Sequence, residues 1–276
     1  TSSRLNDLLV FIARCSRLTN VKIISSCRNF DFTYDPRFRR MNPRTYSLEL
    51  PTWDQVRSKL QDAGINADQI QPKLQELLRT PQHLSLFLRL KTGSNARTFE
   101  TYSEMLGEFW NACITSANEI VFANALTERL VVTESIWAPM ASIEADEAII
   151  AKLCSQGLLE RANNQLRFSH QTIQEYAVAR LFAESDVSLS EFVLKHQDTL
   201  FKRPTIWAVL TYLRDNAKEM YASELDTILQ QVPRLHVKFL LFDFICRQSD
   251  PTEREITIIG NSLLEDKFRL RLLSGI

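Results

Sequence analysis

Apolar residues recur at helical spacing through most of this chain, and the places where that spacing breaks divide it into parts. Leu5, Leu8, Leu9, Ile12 and Ala13 lie on one face of a predicted helix over residues 4–18. After Asn20 the pattern becomes a run, Val21-Lys22-Ile23-Ile24-Ser25-Ser26-Cys27-Arg28, that reads as one strand. A mostly apolar strand suits burial on both faces of a parallel sheet, and one strand alone makes no sheet. No partner run of this kind follows, so the sheet is expected upstream of Thr1, outside the chain. Residues 29–51 hold Asp35-Pro36, Asn42-Pro43 and Leu50-Pro51 and read as an irregular connector.

From there the spacing is again helical. Thr52 or Asp54 can cap a helix through Ala63, stopped by Gly64; Asp68 to Arg79 gives a second, with Pro72 near its start. Thr80, with Pro81 at the first helical position, opens a third through Leu90, closed by Gly93. A long helix is predicted from Tyr102 to Val121. Shorter units follow: helices near 125–131, 135–141 and Ala145 to Gln156, with Gly157 as a C-terminal stop. Leu158-Leu159, a polar Asn163-Asn164 turn, and Leu166 alternating with Phe168 then read as a β-hairpin or wing. A helix from Gln171 to Ala183 completes the set, and three helices plus a wing suggest a winged-helix domain. Ile173, Tyr176, Ala177 and Leu181 form the stripe that would enter its core. Residues 188–276 read as helices of a dozen residues with joints at Arg203-Pro204, Val232-Pro233 and Asp250-Pro251, an arrangement like the helix pairs of an α-solenoid. Trp207, Leu210, Leu213 and the run Phe239 to Phe242 are expected in its core. The chain is thus expected to be mainly α, divided at 1–50, 51–122, 123–186 and 187–276.

Composition narrows the function. Of 276 residues, 45% are hydrophobic and 24% charged, the balance of a globular protein of two or three domains. Lys+Arg and Asp+Glu are equal at 33 each, so no overall field draws the chain to nucleic acid or to an anionic membrane. Arg37, Arg39, Arg40 and Arg44, with Phe38 and Tyr46 nearby, form a local basic cluster; on the zero net charge a solvated connector accounts for it better than a phosphate site. Five separated cysteines with no CxxC pair point to reduced thiols, and no apolar run reaches the length of a membrane span or a signal peptide. The expected setting is cytoplasmic.

Catalytic signatures are absent from the sequence. It contains no GxxxxGK[ST], GxGxxG, HExxH or GxSxG, and its four histidines show no metal-ligand spacing. Three positions nevertheless carry candidate chemistry. Arg28 falls at the carboxyl end of the predicted strand, where open α/β sheets present ligands, although an ordinary surface arginine accounts for it better, since arginines after strands are common. Pro81 is explained by helix geometry alone. His170 follows Ser169, a plausible N-cap, at a helix mouth whose free amides favour an anion; a half-buried histidine beside the wing is the competing reading.

Taken in order, these segments resemble a known family. VKIISSCR is similar to the sensor 1 strand of NACHT and related STAND ATPases, LLRTPQHLSLFLRL to their helical domain with its nucleotide-facing proline, and GLLERANNQLRFSHQTIQEYAVARLFAE to their winged helix. The resemblance covers residues 5–185. It implies that Arg28 approaches the phosphates of a bound nucleotide, that Pro81 packs on its adenine, and that His170 contacts the phosphate of ADP to hold an inactive state. It further implies a signalling protein of innate defence that exchanges ADP for ATP, with Mg in the intact parent, self-associates, and senses a ligand or protein through its C-terminal helices. The family's phosphate loop and acidic Walker B residues are not in this sequence, so the resemblance implies little or no ATP hydrolysis by this chain alone. Two alternatives are a helical interaction scaffold indifferent to nucleotide, and DNA binding by the winged helix. The second ranks last, because the helix 171–183 carries only Arg180 and the helix 145–156 only Lys152 as basic residues.

Overall fold

The computed structural model describes residues 2–27, 32, 37, 38, 41, 44–90, 99–133, 135–144, 146–184, 188–196, 203–232, 234–248, 250–265, 268 and 269. Local sequence sets most helix starts. After α1 (Ser2–Cys15), helix α2 (Trp53–Asp62) begins on a reciprocal cap: the Gln55 amide donates to the Thr52 hydroxyl, and the Thr52 amide donates to the Gln55 side chain at 2.9 Å. It stops at Gly64, whose φ of +73° is open to glycine without strain. α3 (Pro72–Leu78) starts at its proline, and α4 (Pro81–Leu90) starts at Pro81. The predicted helix from Asp68 to Arg79 is therefore corrected. Pro72 holds Gln71 extended, at ψ 149°, so residues 67–69 form only a 3₁₀ turn that cannot join α3.

The long helix expected from Tyr102 to Val121 is two. α5 (Tyr102–Cys113) begins on a second reciprocal cap, Thr101 with Glu104, and ends at an extended Ile114. α6 (Ala117–Thr133) starts where the Glu119 amide donates to the Ser116 hydroxyl and the Glu119 carboxylate accepts from the amides of Thr115 and Ser116. Ser116-x-x-Glu119 is itself a start signal, and α6 absorbs the helix predicted near 125–131. The helix predicted at 135–141 is instead the strand β1 (Ala138–Pro139) and a 3₁₀ turn over 140–142. β1 exists because β3 (Gln165–Phe168) lies beside it, a partner 27 residues on. α7 (Glu147–Ser155), capped by Asp146, leads into β2 (Leu159–Ala162).

The three strands form one antiparallel sheet in the order β1-β3-β2, with Leu159 opposite Phe168 and Ala138 opposite Leu166. The β2–β3 turn places Asn163 at φ 49° and Asn164 at φ 57°, as a two-residue hairpin requires. After α8 (Gln171–Glu184) come α9 (Leu189–His196), α10 (Arg203–Asn216), α11 (Lys218–Gln231), α12 (Leu235–Cys246) and α13 (Glu253–Leu263). Among the described residues the chain is mainly α, with one small sheet.

Two apolar cores hold this together, and α8 belongs to both. Ile173, Tyr176 and Ala177 pack with Leu60, Phe87, Leu126, Leu153 and Phe168 in the first. Val178 and Ala179, on the other side of the same helix, pack with Val193, Leu210, Leu241 and Phe244 in the second. The second core also encloses charge. Glu255 is fully buried and receives bonds from Arg214 Nε (2.9 Å) and the Tyr221 hydroxyl (2.6 Å), which ties α10, α11 and α13 together. Glu224 of α11 accepts the first amides of α9, from Leu189 and Ser190.

The predicted strand Val21–Arg28 is corrected as far as it is described: residues 21–27 are not a strand, and all are exposed. A strand needs a neighbour to take its backbone hydrogen bonds, and among the described residues none lies beside it. Arg28 lies outside the described residues.

Candidate functional site

Two helix mouths, those of α4 and α8, meet through side-chain contacts. α4 opens at Pro81, with the Leu84 amide donating to the Thr80 carbonyl; α8 opens at His170, with the Gln174 amide donating to the His170 carbonyl at 3.2 Å. His170 is the N-cap of α8. Its Nδ1 accepts from the Thr172 amide at 3.2 Å, as a Ser or Asn oxygen would at that position. The expected N-cap, Ser169, is corrected: its hydroxyl turns back to donate to the Gly157 carbonyl at 2.6 Å.

The residue after Pro81 joins the two mouths. Gln82 Nε2 lies 2.6 Å from His170 Nδ1 and also donates to the Thr172 hydroxyl. Tyr102, first in α5, places its hydroxyl 3.0 Å from the same Thr172 oxygen. The Tyr102 ring stacks on His83 at 3.8 Å, and His83 Nδ1 donates to the Leu77 carbonyl at 2.9 Å. The other end of α4 is fastened to the same neighbourhood. Arg89 donates to the Gly157 carbonyl at 3.2 Å, and Gly157 stands at φ +74°, which strains any other residue; a Cβ there would also displace the Arg89 guanidinium, 2.8 Å away.

These contacts fix proton positions. The Thr172 amide cannot rotate, so His170 Nδ1 must offer a lone pair and the ring carries its proton on Nε2. Partial desolvation by its neighbours lowers the pKa of the largely exposed His170 below the ordinary histidine value and Arg167 adds to this, while Glu160 opposes it. Burial likewise lowers His83, against its bond to Leu77, and raises the Tyr102 phenol to about 12. Around neutral pH both histidines are therefore uncharged. Neither α4 nor α8 has an acidic residue in its first turn, so two positive helix ends face one region without acids of their own to offset them. Pro81 and His170 are themselves exposed. The arrangement suits an anionic group set beside an apolar surface.

Of the three sequence candidates, the fold brings Pro81 and His170 to one junction, and Arg28 lies outside the described residues. Sequence reasoning missed Gln82, Thr172, Tyr102 and His83. Gln82 and His170 are 88 residues apart, and no local pattern pairs them; the one legible signal is the absence of acids in both first turns. Away from this junction a hollow of about 420 Å³ lies between α7 and β2, with Trp137, Ile150, Leu159 and the Arg161–Glu147 ion pair among its lining. Among the described residues no group of three or more His, Cys, Asp or Glu could hold a metal ion, and no helix is long and apolar enough to cross a membrane. All five cysteines are free. Comparison of the chain with family models, curated proteins and solved structures found no match.

Proposed function

We propose that this chain is the lid half of a nucleotide-gated switch of the NACHT or STAND type, in which ADP bridges a phosphate-loop core, the helical domain and a winged helix. The observation that carries this reading is the Gln82–His170 contact, which joins the mouth of α4, with Pro81, to the mouth of α8. In this reading Pro81 offers an apolar ring to the base and His170 Nε2–H donates to a phosphate oxygen, helped by the two helix ends. Residues outside this chain hold the rest of the nucleotide, and Mg in the ATP state. The same residues would also take the exposed apolar side chains of residues 8–24, with Arg28 at the phosphates.

The order helix α6, strand β1, short turn, helix α7, hairpin and helix α8 supports a winged helix over residues 123–186, and the paired helices after 188 support a solenoid-like sensing region. Exchange of ADP for ATP frees the lid, and the parent self-associates in a cytoplasmic setting. DNA binding is disfavoured by the pairing of the basic residues: Lys152 meets Glu119 at 2.6 Å, and Arg180 meets Glu184 at 2.6 Å while lying over Trp110. A nucleotide-indifferent scaffold is the remaining alternative. Thermal shift of the longer protein that this reading requires separates the two: ADP stabilises it, and His170→Ala and Pro81→Ala each cut that stabilisation. ADP stabilisation unchanged in both variants would sink the switch.

A further inference from the structure

Gln82 and Thr172 do more than hold two helices together, because they decide which nitrogen of His170 is protonated. The Nδ1 lone pair is the N-cap of α8 and the acceptor for Gln82, so a second proton on this ring has to enter a position already facing the Thr172 amide and the Gln82 amide. An imidazolium there turns acceptor into donor, takes away the cap, and adds positive charge at the positive end of α8. We infer that the His170–Gln82–Thr172 cluster is a proton-sensitive latch between α4 and α8, closed while His170 is neutral and released when it is protonated.

The surroundings agree with a neutral ring. Arg167 on β3 opposes its protonation and Glu160 on β2 favours it, and these two are paired with each other at 2.5 Å, which offsets much of both effects. His83 of α4 and Tyr102 of α5 face the cluster from the other side, with the Glu175 carboxylate of α8 near the phenol. His83 is a second group that acidification charges at this junction, beside the first turn of α4. Both histidines gain their charge only below the ordinary histidine value, so acidification acts on the latch through two groups at once. The inference deepens the proposed function by assigning a regulation to the same junction, and its test needs no nucleotide.

The whole chain, labelled with ¹⁵N at histidine, is followed by NMR from about pH 7.5 to about pH 5.5 without ligand, alongside hydrogen exchange at the first turn of α8 corrected for intrinsic rates. The wild type is expected to show the Nε2–H tautomer of His170 at the upper pH and to lose protection severalfold on acidification, because the folded state resists protonation of the ring. His170→Asn keeps an acceptor oxygen where Nδ1 stands and does not titrate, so its protection is expected to change less than about twofold. An Nδ1–H tautomer at the upper pH, or equal losses in wild type and His170→Asn, overturns the latch. Should His170→Asn fail to fold, the wild-type tautomer and protection decide the matter alone. Loss of ADP binding with the latch intact would instead refute the nucleotide reading and leave this one standing.

Discussion

The first fifty residues and the rest of the chain use similar apolar side chains to opposite effect. In the body from Trp53 onward, Leu60, Leu78, Leu126 and Leu210 are completely buried. In the first fifty, Phe11 is 63% exposed, Ile24 97% and Leu48 fully so. Hydrophobicity alone therefore does not bury a residue. A helix with one apolar face and a seven-residue run that is apolar at Val21, Ile23, Ile24 and Cys27 are two pieces that need a third surface, whereas each helix of the body finds a neighbour within reach. The body can be broken by single substitutions, and the N-terminal segment offers them little to break.

The largest expected effect is from Phe87→Ala in α4, which removes a ring packed edge-to-face on Phe99 and leaves a cavity in the first core, at a cost of about 4 kcal/mol in chemical denaturation. A loss below about 1 kcal/mol would mean that the first core is loosely packed. Next comes Arg214→Ala, which strands the fully buried Glu255 carboxylate and is expected to cost about 3 kcal/mol. Arg214→Met with Glu255→Leu is expected to recover most of that loss, since an apolar pair avoids the desolvation that the charges undergo; no recovery would show that the network carries net stability.

A gradual effect is expected with acid. Burial alone would raise the Glu255 carboxyl, but bonds from Arg214, Tyr221 and the Thr252 amide outweigh it and hold it below the usual carboxylate range. The bond from Lys152 holds Glu119 at about 2, aided by the Thr115 amide. Both groups stabilise the fold above the unfolded carboxylate value of roughly 4.3, and that contribution fades as pH falls toward their folded values. His170 and His83 have lowered values, so the folded state resists their protonation; their contribution is complete above roughly pH 6.5 and fades below it. Thermal melting across pH is thus expected to fall first below neutrality and again in the carboxylate range. A melting point flat from neutrality to about pH 5 would contradict the histidine assignments. The smallest effect is predicted for Ile24→Ser, within about 0.5 kcal/mol, because the side chain touches little. A larger loss would show that residues 21–27 are packed after all, and would erase the contrast between the two regions.

Local signals were the readable part of this fold. Pro81 at its helix start, the Thr52 cap, the stops at Gly64 and Gly157 and the Asn163-Asn164 turn each act through the residue's own backbone preference, and each is where the spacing puts it. Misread segments had a different cause. Within 135–141, residues 138 and 139 are a strand only because β3 lies beside them, and 21–27 is not one for want of such a neighbour. The missed start at Ser116 was legible in Ser-x-x-Glu and was overridden by continuous apolar spacing across the break.

By itself the sequence determined that this protein is mainly helical, where most of its helices begin and end, and that Pro81 and His170 each stand at a helix mouth, because capping, proline geometry and apolar spacing act over a few residues. Only the tertiary structure decided that the two mouths face each other, that Gln82 bridges them, that His170 rather than Ser169 caps α8, and that Glu255 is buried with Arg214. The bonds of Gln82 to His170 and Thr172, and those of Glu255 to Arg214 and Tyr221, join residues 34 to 90 positions apart, and their energy exists only once two packed cores have brought the helices together.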